Sequence, residues 1–388
     1  MTDPIPAALL SDPSAARVLR LLGEGGHRAW IVGGAVRDAL LGRPVGDIDV
    51  TTDAPPERVA ELAGQAGLKA LPTGIEHGTV TLLAPRPVEV TTLRRDVETD
   101  GRHATVAFGT EPEEDARRRD FTMNALYLTA DGALLDPTGG LPDLHARRIR
   151  FVGDASTRIR EDYLRALRYF RFHAQVGDPE EGLDPDALDA IARNLDGLDT
   201  LSRERVGHEM LRLLATPDPA PAVAAMRATG ALARVLPGAG DGLLAPLVHI
   251  EGEAGLPPDP LRRLAALGGE DVPEALRLSR QQAKRLDRLL DGMGTFSAPG
   301  ELGYRLGEAE ALDVLALRAA LSNAHLDPEA ARLARHGAGQ RFPLAAADLA
   351  PLAGPALGHR LRALERAWID SGFALSPKSL RTLPEEPA

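Results

Sequence analysis

The chain has no cysteine, which removes disulfides, zinc–thiolate sites and cysteine nucleophiles from consideration. Aromatic residues fill only 4% of its 388 positions, so the core has to be built mostly from Leu, Ala and Val. Lysine is nearly absent: Lys69, Lys284 and Lys378 stand alone among 45 basic residues. The cationic chemistry is therefore almost all guanidinium, which binds phosphate bidentately. No apolar run approaches the roughly 18 residues of a membrane span. The opening MTDPIPAALL lacks the basic region of a signal peptide. With 44% hydrophobic and 26% charged residues, the composition predicts a globular cytoplasmic protein of two or three domains, with no membrane and no protein partner expected. A net charge of −11 speaks against a general nucleic-acid binder. The charge is uneven, however: Arg147 to Arg171 holds eight arginines against three acids.

What is present centres on residues 27 to 50, HRAWIVGGAVRDALLGRPVGDIDV. Ala29 to Val32 is short, apolar and β-prone, as a buried strand is. Gly33 and Gly34 allow backbone to approach a ligand where a Cβ would collide. Ala35 to Leu41 has helical spacing, and Gly42 suits its end. Asp47 and Asp49 follow at a spacing of two, which in a strand aims both carboxylates to one side. Acidic groups held so close repel each other, and a divalent cation relieves the repulsion. Such hard oxygen ligands suit Mg2+, which prefers carboxylates and phosphate oxygens. Taken alone, a Gly-Gly turn or a D-x-D pair is more often structural than functional; together they have the layout of a nucleotidyl-transfer centre.

GGAVRD, then eight residues, then DID resembles the signature of the nucleotidyltransferase superfamily. It is most similar to the class II branch of tRNA nucleotidyltransferases (CCA-adding enzymes) and bacterial poly(A) polymerases. Further stretches resemble that branch in order. PVEVTTL at 87 to 93 reads as a strand, and its Glu89 matches the third carboxylate of the superfamily's metal site. RRDVETDGRHATVAFGT at 94 to 110 breaks the alternation and reads as a surface loop; it resembles the flexible loop of CCA-adding enzymes, with Asp96, Asp100 and Arg102 able to contact the site. In RRD, read as part of a helix beginning at EPEED, Arg119 matches the nucleotide-contacting arginine of a second motif.

At about Gly153 strand-like alternation gives way to helical spacing. DASTRIREDYLRALRYFRFHAQVG at 154 to 177 reads as one helix. Tyr163, Leu167 and Phe170 share a face, while Asp162, Arg165, Arg168 and Arg171 drift down the other side. An i, i+3 salt bridge between Asp162 and Arg165 is the simpler account, but EDYLRALRYFRF resembles the class II motif EDxxR. LSRERVGHEMLRLL at 201 to 214 and MRATGALARVLPG at 226 to 238 resemble later family segments. Beyond Ala239 the chain reads as helices separated by Gly- and Pro-rich joints. Arg277, Arg280, Lys284, Arg285 and Arg288 form a basic stripe there, and the tail after Leu375 reads as disordered.

The resemblance implies an α/β head of a small mixed sheet with helices over 1–153, followed by an all-α neck, body and tail. The segment 154–238 would select the nucleotide, and 239–388 would hold tRNA. It implies addition of CCA to the 3′ end of tRNA from CTP and ATP without a nucleic-acid template. Asp47 and Asp49, with Glu89, would carry the metal chemistry. Gly33 and Gly34 would admit the triphosphate; Arg37, Arg119, Arg168 and Arg171 would neutralise it; Asp162 and Arg165 would read the base. Poly(A) polymerase and partial CC- or A-adding activity are the near alternatives. A catalytically idle RNA-binding module is the remote one.

Overall fold

Ile31, with no exposed surface, lies on an interior strand of the sheet that organises the N-terminal part of the chain. The structure is a computed structural model describing residues 7–74, 78–100 and 103–384. The strands are β1 (Ala29–Val32), β2 (Asp49–Thr52), β3 (Lys69–Gly74), β4 (Thr79–Leu83), β5 (Pro87–Thr92), β6 (Arg94–Asp100), β7 (His103–Phe108), β8 (Tyr127–Thr129) and β9 (Leu134–Leu135). Seven of them form one mixed sheet in the order β3-β4-β5-β2-β1-β8-β9, and β6 and β7 pair separately. The β2–β5 pair is parallel and its neighbours are antiparallel. Parallel partners need a crossover, and here it includes the helix Pro56–Gln65 and the hairpin β3–β4.

The local chemistry accounts for the flanking elements. Asp12 accepts hydrogen bonds from the backbone N–H of Ser14 and Ala15 at 2.9 and 3.1 Å, which starts the helix Pro13–Glu24. Pro at the first helical turn removes a donor that would otherwise be unmet. That helix buries Val18, Leu19 and Leu22, the stripe expected of an amphipathic helix against a core.

The chain forms two compact units. One runs through Glu209 and includes Pro221–Val235; the other takes Met210–Ala220 and everything from Leu236 onward. The helices Ala155–Glu161 and Leu164–Val176 therefore belong to the same unit as the sheet. The scarce rings are concentrated. In the first unit Phe121 lies 4.9 Å from Phe151 and 5.4 Å from Phe172, and Phe151 stacks on Tyr169 at 5.6 Å. In the second, Tyr304, Phe342 and Phe373 surround Trp368 at 4.9 to 5.6 Å.

The second unit is helical, with a buried ion network at its centre. Arg262 and Arg263 are nearly inaccessible and share Glu251; Arg262 also pairs with Asp313. Arg263 donates to the carbonyls of Leu214, Thr216 and Pro217. The basic stripe is partly spoken for, since Arg285 pairs with Asp259 and Asp313, and Arg288 with Glu310. The tail corrects the expectation of disorder. Ser376 caps a helix Pro377–Arg381, and Leu380 is fully buried with Leu364, Trp368 and Ile369.

Candidate active site

Asp49 opens β2, and the sheet supplies it with two neighbours. On one side its register partner is Val32, the residue before Gly33; on the other it is Glu89 of β5. Asp47 lies just before the strand, yet the alternation holds: Asp47 and Asp49 are exposed and Ile48 between them is buried. Of the three carboxylates that the sequence singled out, Asp49 and Glu89 thus come from two adjacent strands and Asp47 from the segment leading into the first. Although Asp49 reaches solvent, the protein around it displaces water and pushes its carboxyl up to about 6; Glu89 and Asp47 push the same way, and Arg119 opposes them. Desolvation and like charge both favour the protonated form, so Asp49 as a carboxylate calls for a cation. Among the described residues no three acidic or imidazole side chains gather tightly enough to hold a metal by themselves. That is compatible with Mg2+, which is held by one or two carboxylates together with substrate phosphates and water.

Gly33 has φ 72° and ψ −132° at the N-terminus of the helix Gly34–Leu40, a conformation that strains any residue with a Cβ. A Cβ at Gly34 would meet Arg37 Nη2 at 3.7 Å, an ordinary contact, so the chain itself does not demand glycine there.

The helix expected to include RRD is short, Pro112–Arg117, and RRD lies just past its end. Asp115 explains how the motif is held. Buried within that helix, it accepts from Arg118 Nε at 2.9 Å, from Arg119 Nη2 at 2.9 Å and from the Tyr127 hydroxyl at 2.8 Å. Burial alone would raise its carboxyl, but Arg119 and Arg118 hold it below the usual range. The sequence places Asp115 only within the helix that begins at EPEED. Its i+3 and i+4 spacing to two arginines was the signal available.

Three of the four arginines expected at a triphosphate converge on one ring. The guanidiniums of Arg171, Arg37 and Arg168 lie 4.2, 5.0 and 5.3 Å from the centre of Phe172, as cation–π contact allows. Arg37 is buried; it forks onto Asp38 at 2.9 Å and donates to Asn124 Oδ1 at 2.8 Å. Arg171 is buried against Glu209. Arg168 is more open and donates from Nε to Asp120 at 2.8 Å. Arg119 is the fourth, and its Nη1 is the atom nearest a Cβ built at Gly33, 3.5 Å away. Phe172, Asn124 and Glu209 were not singled out beforehand; nothing in a lone Phe or Asn distinguishes a platform from core.

The reading of 154 to 177 as one helix is corrected at Asp162. The helix Ala155–Glu161 stops there, Asp162 is extended at φ −154°, and a second helix runs Leu164–Val176. Asp162 Oδ1 accepts from Leu164 N at 3.1 Å, and Oδ2 accepts from Arg205 at 2.7 Å. The simple Asp162–Arg165 salt bridge is not formed. Arg165 instead pairs with Glu161 and donates to the carbonyls of Arg158 and Arg118 at 2.9 and 2.8 Å.

The segment 94 to 110, expected as an irregular loop, contains the hairpin β6–β7, with Arg94 opposite Phe108. Its base is fixed by Gly109 N–H donating to Leu93 O at 2.7 Å. Asp96 and Asp100 lie on β6; Arg102 lies outside the described residues.

Comparison with known proteins identifies relatives of the chain. Residues 29–150 match the model of the poly A polymerase head domain, and 182–242 match "Probable RNA and SrmB- binding site of polymerase A". The human mitochondrial CCA tRNA nucleotidyltransferase 1 is 47% identical over 190 residues, 48% of this chain and 44% of that protein. The CCA-adding enzyme of Geobacillus thermodenitrificans is 42% identical over 227 residues, 58% of this chain and 54% of that protein. The chain thus spans about half the length of the curated relatives it matches. The fold matches throughout: the CCA-adding enzyme of Bacillus stearothermophilus, solved in complex with CTP, superimposes with a TM-score of 0.75 and 33% identity over 92% of each chain. The small mixed sheet with the helices that follow is the fold of one family, and the chain belongs to it: the CCA-adding tRNA nucleotidyltransferases and poly(A) polymerases.

Proposed function

We propose that the chain completes the 3′ end of tRNA by adding C, C and A from CTP and ATP, without a template and with release of pyrophosphate. The observation that carries this reading is the pairing of Asp49 with Glu89 in register, beside the turn at Gly33. A destabilised carboxylate next to a turn whose backbone conformation disfavours a side chain suits a site for a metal-bound triphosphate. The solved relative with CTP supports the nucleotide class.

Asp47 and Asp49 would hold Mg2+, with Glu89 alongside. Bound there, the metal would supply positive charge to the attacking 3′-hydroxyl and to the departing pyrophosphate. The remaining work falls to the chain. Gly33 and Gly34 present backbone to the triphosphate. Arg119 and Arg168 offer guanidinium donors to it, and Arg37 and Arg171, buried on Phe172, add positive potential from behind. Asp162, an acceptor, and Arg165, a donor, address the base edge, which admits C and A and opposes U and G. In this division residues 1–153 carry the chemistry, 154–238 choose the nucleotide and 239–388 hold tRNA. Among the described residues no helix is long and apolar enough to cross a membrane. We place the reaction in the cytoplasm, where tRNA and both nucleotides meet; the human relative is named as mitochondrial, and fractionation of the host cell tells the two apart.

The test is incorporation of radiolabelled CTP and ATP, alone and together, into tRNA ending before CCA. Two C and one A are expected with both nucleotides present. Runs of A alone would mean a poly(A) polymerase; a stop after CC, or A only on tRNA ending in CC, would mean a partial enzyme. No incorporation would leave an RNA-binding module.

A further inference from the structure

Among the described residues two buried side-chain polar atoms lack a hydrogen-bond partner, Arg94 Nε and Thr138 Oγ1. Only the first belongs to a charged group. A buried donor left unmet is costly, so a fold that keeps one calls for an explanation.

The surroundings of Arg94 supply it. The residue follows Leu93 at the end of β5, the strand that carries Glu89, and is the first residue of β6. Its Nη2 donates to Thr79 Oγ1 at 3.1 Å, and that hydroxyl lies 3.0 Å from the hydroxyl of Thr91. Thr91 is two residues beyond Glu89 on the same strand, so the guanidinium is tied to the face that bears the acids. Arg118, Asp115, Glu89 and Arg119 are all within its electrostatic reach. Asp115 is already shared by Arg118 and Arg119. Among the described residues no carboxylate pairs with Arg94. Arg94, Arg118 and Arg119 thus have one saturated carboxylate, Asp115, among them, and Arg94 has a donor still unmet. An anion with several oxygens is the kind of group that meets such donors.

We propose that Arg94 is a further phosphate-binding residue, taking the β- and γ-phosphates of the incoming nucleotide and then the pyrophosphate product. This rests on the reading of the site as a nucleotidyl-transfer centre and extends it to the residue from which the hairpin starts. Both a nucleoside triphosphate and the tRNA backbone carry phosphate, and the proximity of Glu89 and Arg119 favours the former.

The experiment uses the full chain with Arg94→Gln and Arg94→Lys. Loss of a hydrogen bond to a charged group predicts a rise in KM for both CTP and ATP of about ten- to a hundredfold in Arg94→Gln. Inhibition by inorganic pyrophosphate should weaken by a similar factor, with the KM for tRNA unchanged. Arg94→Lys keeps the charge but not the planar fork, so it should recover part of both losses. Unchanged nucleotide KM and pyrophosphate inhibition in a folded Arg94→Gln would overturn the assignment, as would a rise confined to the tRNA KM. If Arg94→Gln does not fold, Arg94→Lys decides, and wild-type constants there would count against the proposal. If the wild-type chain incorporates neither nucleotide, the underlying reading fails by itself. Calorimetric binding of pyrophosphate to wild type and Arg94→Lys then still tests Arg94, with equal affinities rejecting it.

Discussion

Asp49 and Glu89 are direct register partners across the parallel strand pair β2–β5. Their carboxylates share a strand edge without a basic residue between them in the ladder, and Glu89 adds to the desolvation that disfavours the charged form of Asp49. Asp47→Ala and Asp49→Ala should each abolish addition of both C and A, while tRNA retention in a filter-binding assay stays close to wild type. Normal turnover by either variant would remove that residue from the site.

Base choice should reside in Asp162, whose Oδ2 is held by Arg205. Replacing it by Ala removes an acceptor that penalises the wrong base, and discrimination against UTP and GTP should fall by about ten- to a hundredfold. Competition assays with all four nucleotides measure this. Full selectivity in the variant would give Asp162 a purely structural role at the break between helices.

The hairpin β6–β7 is the candidate for the change between accepting C and accepting A. Exchanging Asp96 to His103 for a short Gly-Ser linker should leave CC addition largely intact and impair the final A, read from product length on a sequencing gel. A moving element alters a preference only if it contacts the site more in one state than in another. Wild-type A addition by this variant would sink the idea. Equal loss of C and A would give the hairpin a general role in folding or binding.

Arg171 and Glu209 form a buried ion pair on the Phe172 platform. Glu209→Ala removes the carboxylate and leaves the guanidinium in place, a change that costs about 3–5 kcal/mol in comparable buried pairs. Urea unfolding should show it as a lower midpoint with an unchanged slope. A loss well under 1 kcal/mol would mean that water or another acceptor takes over.

His173, next on the same helix, is buried, and desolvation holds its imidazole below the ordinary value, with Asp178 opposing. The folded state therefore keeps it neutral where the unfolded chain would protonate, so the unfolded state binds more protons as pH falls through about 6.5. Stability from this residue is fully present above that pH and declines below it. Thermal melts at pH 5.5 and 7.5 should differ less in His173→Gln than in wild type; an equal difference would place the acid sensitivity elsewhere.

The strand Ala29–Val32 and the glycine turn were legible because composition and spacing act locally there. Glu89 could be assigned to a face by alternation, but not to a neighbour: its pairing with Asp49 depends on a crossover that no local pattern records. The break at Asp162 was hidden because the apolar stripe of Tyr163, Leu167 and Phe170 continues in helical phase, while the departure comes from one side chain capping the next helix. Arg37 and Arg171 show the same limit for charge. A sequence displays guanidiniums, but the burial of Arg37 on Phe172 and of Arg171 against Glu209 arises from packing among distant segments. The tail offered a signal that went unused: Ser376 before Pro377 is a helix start, and Leu380 is the apolar residue that docks.

The path of the chain through the two compact units has a consequence for recombination. It passes from one unit to the other after Glu209, returns after Ala220 and leaves again after Val235, so neither unit is an uninterrupted stretch of polypeptide. A chimera joined to a relative at a single point near residue 236 would carry a foreign partner for Met210–Ala220, whose carbonyls at Leu214, Thr216 and Pro217 are gripped by Arg263. Exchange of whole modules within this family is therefore constrained to donors that match both sides of that grip, or to transplants that move the short inner segment together with the C-terminal helices.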